Sequence, residues 1–418
     1  MRAPSEAAAA LATEKTSIAR GNGRAYGDSA LNKDCVISTL KSDRILSFDP
    51  GTGTIVCEAG LLLDDLLEFA VPRGFFPPVV PGTKFVTVGG MIAADVHGKN
   101  HHGAGSFSAH VDWLELLLPD GTIVTASRMS APDLFAATCG GMGLTGLILS
   151  LSFRLMRIPS AAIRQETLRT GSLSETLALI EASSDWRYTV AWVDSLARGS
   201  QLGRAVLHRG DHARPDETGA MRAPNRKRTK IRVPFDPPSG LLNAWTVQLF
   251  NALYYRRNRP GAAVVDYDAY FFPLDGVLGW NRLYGSRGFL QYQCVIPRRT
   301  AETALHEILE LITASRQGSF LTVLKLLGPE GLGPLSFPLE GYTLAMDFPN
   351  VPATHSLFAA LDQVVRKHSG RLYLAKDARM SRELLESGYP RLTEFLRVRR
   401  SVPGHEKIAS LQSERLGL

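Results

Sequence analysis

Residues 80–107 read VPGTKFVTVGGMIAADVHGKNHHGAGSF, and no other stretch restricts the fold of this chain as much. Glycine and alanine remove side-chain bulk, so the backbone can pass close to another surface or adopt φ > 0. The same stretch places His97, Lys99, His101 and His102 within six residues, proton carriers gathered behind small ones. Two more glycine-rich segments share the first 150 residues, ARGNGRAYGDSALN (19–32) after a first short strand and GMGLTG (141–146). Consecutive glycines let several main-chain N–H groups converge on an anion without a helix dipole. Each loop alone reads as a tight turn; the three in this order suit an extended, phosphate-bearing ligand gripped along its length.

GMGLTG satisfies the dinucleotide pattern G-x-G-x-x-G, but that fingerprint needs a strand before it and a helix after it. Here the helical spacing of PDLFAATCG precedes and the β-rich LILSLSF follows, which argues against a doubly wound nicotinamide-binding fold. Up to residue 156 the chain reads as short β-branched runs, TSIAR, CVIST, GTIVCEAG, GTIVTAS and LTGLILSLSFRL, with helical spacing in LDDLLEFAVPRG and PDLFAATCG. After Pro159 longer amphipathic helices, LSETLALIEASSD and TALHEILELITASR, alternate with the strands YTVAWVD, FLQYQCVIP, FLTVLKLLG and YTLAMDFP. The pattern predicts an α+β protein of two domains, 1–159 and 160–370. The second is an antiparallel sheet with helices over one face, and a C-terminal segment, 371–418, is expected to return to the first domain.

The four cysteines lie far apart with no C-x-x-C pair, which favours neither a zinc site nor a disulfide framework and fits a reducing compartment. The histidine trio has Lys99 in its midst and no acid within the motif, so no metal site is expected. The start SEAAAALATEK carries Glu6 and Glu14 and lacks an apolar core, and no run of 18 apolar residues exists. A net charge of +7, 47 basic against 40 acidic residues, suits acidic partners without naming them, and no nucleic-acid partner is expected. Residues 222–232, RAPNRKRTKIR, hold six basic residues and no acid, and Leu242, Trp245, Leu249 and Leu253 then recur at helical spacing. This is the composition of a helix on an anionic lipid surface, or of a solvated loop followed by a helix docked on its own domain.

RGNGRAYGDSALN, PGTKFVTVGGMIAADVHGKNHH and DLFAATCGGMGLTGLILSLSF together resemble the FAD domain of the vanillyl-alcohol oxidase (PCMH-type) flavoproteins. Within that superfamily the chain is similar to the flavoenzymes that oxidise decaprenylphosphoryl-β-D-ribose at the 2′-hydroxyl. The likeness continues through YTVAWVDS, LGRAVL, FFPLDGVLGWNRLYG, FLQYQCVIP, VLKLLGPEGLGPLSFPLEGY and GRLYLAKDARMS, so it covers nearly the whole chain.

The resemblance implies a two-domain FAD-binding fold with a substrate-binding cap domain, and it assigns residues. Gly21, Asn22, Gly23, Arg24, Ala25 and Tyr26 would hold the diphosphate side of FAD, and Gly82, Thr87, Val88, Gly89 and Gly90 would complete the cradle. Ala94, Asp95 and His97 would run toward the isoalloxazine, Ile148 would meet the adenine end, and Tyr373 would close over the flavin. Covalent members carry a histidine where this chain has Arg24, so the FAD is expected to be non-covalent. Lys376 matches the essential lysine at the flavin edge. Lys325 and Lys99 would bind the substrate phosphate or help ionise the alcohol, with His97 a competing base. Gln291, Gln293, Thr343 and Ala345 would line the substrate pocket, the last two replacing an asparagine and a cysteine of the family pattern.

The implied activity is FAD-dependent oxidation of a polyprenyl-phosphoryl ribose to its 2′-keto form. It would be the first half of an epimerisation to the arabinose donor for cell-wall polysaccharide, with a short-chain dehydrogenase/reductase as partner. The expected location is cytoplasmic and peripheral at the inner membrane face. The alternatives are a flavin oxidase of soluble polyols or aldonolactones, and a flavoprotein whose FAD serves structure or partner binding.

Overall fold

The computed structural model describes residues 4–218, 231–236 and 243–418. Residues 222–230 of the basic segment, and Leu242, lie outside the described residues. The fold is α+β and is organised by two antiparallel sheets. The smaller contains β1 (Ile45–Asp49), β2 (Thr54–Glu58), β3 (Val111–Leu117), β4 (Ile123–Ser127) and β5 (Leu147–Arg154), in the order β1-β2-β5-β3-β4. The central strand β5 is buried at seven of its eight positions. That explains why LILSLSFR is a near-continuous apolar run rather than an alternating one.

The larger sheet holds eight strands. These are β6 (Ala162–Thr170), β7 (Tyr188–Val193), β8 (Ala205–His212), β9 (Gly261–Asp266), β10 (Phe289–Pro297), β11 (Thr322–Leu327), β12 (Gly341–Pro349) and β13 (Arg371–Leu372). Their order is β9-β6-β8-β7-β11-β12-β10-β13. The period-2 alternation of its central strands gives each face a distinct role. Tyr292, Cys294 and Ile296 of β10, Leu344, Met346 and Phe348 of β12, and Leu324 and Leu326 of β11 share a core with the helices Ala301–Ser315 and Pro352–Lys367. Those helices contribute Leu305, Ile308, Ile312, Leu357, Leu361 and Val365 at helical spacing. Each such buried side chain stabilises the assembly by roughly 1.5–3 kcal/mol. The opposite face carries Gln291, Gln293, Lys325, Thr343, Ala345 and Asp347.

Residues 371–418 do not form a separate body. The strand β13 pairs with β10, Ile408 bridges to Ser17, and the Ala409 N–H donates to the Ser17 carbonyl at 3.0 Å. Among the described residues no helix is long and apolar enough to cross a membrane.

Candidate active site

The loop after the strand Ser17–Arg20 is shaped by close approach on three sides. A Cβ on Gly21 would lie 2.2 Å from Thr87 Oγ1, Gly23 adopts φ +61°, and a Cβ on Gly27 would lie 2.2 Å from the Asp377 carbonyl. Asn22 Nδ2 donates to the Phe85 carbonyl at 2.8 Å, and the Tyr26 N–H donates to the Ala375 carbonyl at 2.8 Å. Among the described residues the main-chain N–H groups of Asn22, Gly23, Arg24 and Ala25 have no acceptor within the chain. A loop braced at both ends with several free N–H groups is an anion nest, and it fits the diphosphate of a dinucleotide cofactor.

The second glycine segment behaves differently. Val88–Ala93 is a short helix capped by Thr87 Oγ1, which accepts from the Gly90 N–H at 3.2 Å. The Val88 and Gly89 N–H groups are already bonded to the carbonyls of Leu61 and Ala59. A Cβ on Gly89 would sit 2.7 Å from Ala59 Cβ, so this glycine serves packing. Around Gly82 there is open space.

Asp95 breaks that helix at φ +39°, and its fully buried carboxylate accepts from Ser336 Oγ and, at 3.3 Å, from the Ser108 N–H. Its side chain therefore ties the loop to Ser336 and Ser108. The turn delivers His97, whose ring lies 5.3 Å from Tyr373 and 5.3 Å from Phe337. Tyr373 stacks on Phe337 at 4.5 Å and donates its hydroxyl to the Ala94 carbonyl at 2.8 Å. Ile148 sits on β5 in the core of the smaller sheet.

On the open face of the larger sheet the register aligns the remaining groups. Gln293 pairs with Ala345, Gln291 with Asp347, and Lys325 with Thr343. The Gln293 amide reaches His97 Nε2 at 3.1 Å and Thr343 Oγ1 at 3.2 Å. In this amide orientation the neutral imidazole carries its proton on Nδ1, a buried atom with no partner among the described residues. An orphaned donor of this kind needs a ligand. Burial first, then Lys325, His101 and Lys376, hold the His97 pKa well below its ordinary value, so the ring stays neutral.

Burial brings the Lys325 ammonium down to about pKa 8. Burial and Lys325 bring Lys99 down to about 7, while the Tyr270 carbonyl accepts from its Nζ and the Tyr270 ring lies 4.4 Å below. Lys376 stands 4.0 Å over the Tyr26 ring. Its pKa is lowered by burial and by Lys325, against the pull of Asp347. Burial raises Asp347, which accepts from Gln291 Nε2 at 2.5 Å and leaves Oδ2 without a partner among the described residues. Sequence reasoning missed this carboxylate. Its signal was the strand period, because Thr343 and Ala345 on one face put Asp347 on the same face.

His101 lies edge-on to His97 with ring centres 6.3 Å apart, and both His101 and His102 make their hydrogen bonds to other segments. His101 Nδ1 accepts from the Gly328 N–H at 3.0 Å, and His102 Nε2 lies 2.9 Å from the Trp186 carbonyl. GMGLTG lies between the helix Pro132–Thr138 and β5, an order opposite to a nicotinamide fingerprint.

Residues 5–127 match a model of the FAD binding domain. The chain is 40% identical to decaprenylphosphoryl-β-D-ribose oxidase of Mycolicibacterium smegmatis, over 96% of this chain and 89% of that one. It is 34% identical to an uncharacterised protein in the mprA 5′ region of Streptomyces coelicolor, over 86% of this chain and all of the relative. L-gulonolactone oxidase of Mus musculus is 31% identical over 32% of this chain and 30% of its own.

Proposed function

This chain belongs to the family of decaprenylphosphoryl-β-D-ribose oxidases, FAD-dependent oxidoreductases, and from that premise we propose that its substrate is a polyprenyl-phosphoryl-β-D-ribose. Oxidation of the 2′-hydroxyl would give the 2′-ketone, the first half of an epimerisation to the arabinose donor for cell-wall polysaccharide. A short-chain reductase acting next would complete it.

The free N–H groups of Asn22 to Ala25 hold the cofactor diphosphate, with Gly21 and Gly23 setting the loop and Tyr26 carrying it toward Lys376. Arg24 stands where covalent relatives have histidine, so the FAD is held without a covalent bond. When bound, FAD supplies the acceptor for the hydride that leaves C2′.

The observation that carries the reading is the buried cluster that Lys376 and His97 form with Lys325 and Asp347 of the sheet face. The alcohol must lose its proton as the hydride departs, and a base works best when its pKa lies near the working pH. A lysine with a lowered pKa meets that condition. His97, neutral and with a buried Nδ1 proton left unbonded among the described residues, serves as a donor that orients oxygen. Lys376 is therefore the group that accepts the hydroxyl proton. Its neighbour Asp347 permits two forms of equal net charge, both ionised or both neutral, so a proton moves between them without changing the net buried charge. Lys325 and Lys99 supply positive charge for the phosphate.

A second reading, oxidation of soluble polyols or aldonolactones, draws support from Thr343 and Ala345, which depart from the family pattern in the pocket. Anaerobic mixing separates the two. Polyprenyl-phosphoryl ribose should bleach the flavin absorbance, and Lys376→Ala should stay yellow while bleaching at least about 100-fold more slowly. Bleaching by soluble polyols alone would favour the second reading, and bleaching by neither would mark a flavoprotein without this catalysis.

A further inference from the structure

The helix α1 (Ala244–Arg257) is fixed to the protein by one side only. Val247 is buried, the buried Asn251 donates to Asp194 Oδ1 at 2.9 Å, and Tyr254 packs 4.5 Å from Trp192. On the opposite side Trp245, Leu249 and Leu253 are 82%, 62% and 57% exposed. Successive i, i+4 positions confine them to about 80° of the helix circumference, with Arg256 among them. An apolar stripe this open, on a helix already anchored through its other face, has a use outside the chain.

Two observations identify the occupant. Residues 218–265 hold nine basic residues and one acid, Asp236, a surplus of eight that exceeds the net +7 of the whole chain. Apart from this region the protein is close to neutral. The inner edge of α1 also opens an aromatic run toward the catalytic cluster. Phe250 lies 5.7 Å from Phe320, Phe320 5.7 Å from Tyr284, Tyr284 4.7 Å from Phe289, and Phe289 5.3 Å from Tyr26, the ring beneath Lys376.

We propose that the outward face of α1 docks on an anionic lipid bilayer, and that the aromatic run receives the prenyl chain of a substrate drawn from that bilayer. The run rests on the lipid-linked substrate reading; the docking does not. Trp245 and the two leucines enter the boundary between headgroups and acyl chains, and Arg256, Arg257 and Arg259 meet the phosphates.

Flotation of the holoenzyme tests the docking without substrate. It should float with vesicles of phosphatidylcholine and phosphatidylglycerol, more weakly with phosphatidylcholine alone, and W245S/L249S/L253S should bind at least about tenfold less at unchanged flavin content. Brominated acyl chains should quench wild-type tryptophan emission, and W245F, a conservative variant, should lose that quenching. Equal flotation of the wild type and the triple variant, no flotation, or a triple variant that changes only the oligomeric mass would overturn docking, the last pointing to a second copy of the chain. A short-prenyl, water-soluble substrate isolates the reaction: the triple variant should turn it over at the wild-type rate while losing about tenfold on long-chain substrate in vesicles. Equal rates on vesicles would overturn docking as the route of the long-chain substrate, and F320S with unchanged long-chain turnover would overturn the aromatic run's role. A wild type that floats but bleaches with neither substrate would sink the reaction reading and leave docking standing.

Discussion

The glycine loops and the open face of the larger sheet meet at one site but are built on opposite principles. The loops act through backbone. Their side chains are absent or small, and what matters is where N–H groups point and how near another segment can come. The sheet face acts through side chains whose ionisation is set by burial, and the backbone under Gln293, Lys325 and Asp347 is ordinary antiparallel ladder. A volume change should therefore ruin the first region and spare the second, while a charge change should do the reverse.

The sharpest break is Gly21→Val. Its branched side chain would enter space held by Thr87 Oγ1, 2.2 Å from the position of Cβ, and flavin retention should weaken about 100-fold. Visible absorbance per mole of protein after desalting reads this, and a fully yellow variant would remove the loop from the cofactor site.

Asp347→Asn tests the second region with almost no change of volume. Turnover should fall about tenfold while the flavin stays bound. The sign of the pH effect is fixed by the pair: the carboxylate raises the Lys376 pKa, so its loss lowers that pKa further. Because the neutral amine is the active form, the rise of rate with pH should move to lower pH. A carboxylate that serves packing alone would leave the profile in place.

The smallest effect is on stability. Lys325 has a pKa of about 8 in the folded protein, below the ordinary 10.5, so its burial destabilises the fold fully below pH 8. That cost disappears between pH 8 and 10.5, where only the unfolded chain holds the proton. Lys325→Met should raise the melting temperature of the holoenzyme by about 1–3 °C at pH 7, with the gain fading toward pH 10.5. A gain independent of pH would assign the effect to packing.

The same contrast explains what the sequence disclosed. The strands of the smaller sheet are legible as β-branched runs between glycines, and the order of helix and strand around Gly141–Gly146 is readable because those signals are local. Within the larger sheet, Ala162–Thr170 and Gly261–Asp266 carry weaker signals. The first mixes Arg, Gln and Glu into AIRQETLRT, and the second is an edge strand with its first three residues exposed. Asp347 became visible only when the register put it beside Gln291 and near Lys376. The turn at Asp95 was likewise hidden, since a non-glycine residue at φ +39° leaves no mark in composition.

The bend of the loop at residues 21–26 also depends on segments far along the chain. Gly27 rests against the Asp377 carbonyl, Arg415 clasps both Asp28 and Asp377, and Ile408 lines up beside Ser17. A nascent chain emerging from the ribosome thus has this glycine loop long before it has the parts that shape it. Pigment uptake must await those parts, and removing residues 405–418 should yield a colourless protein even though every glycine of the loop is present.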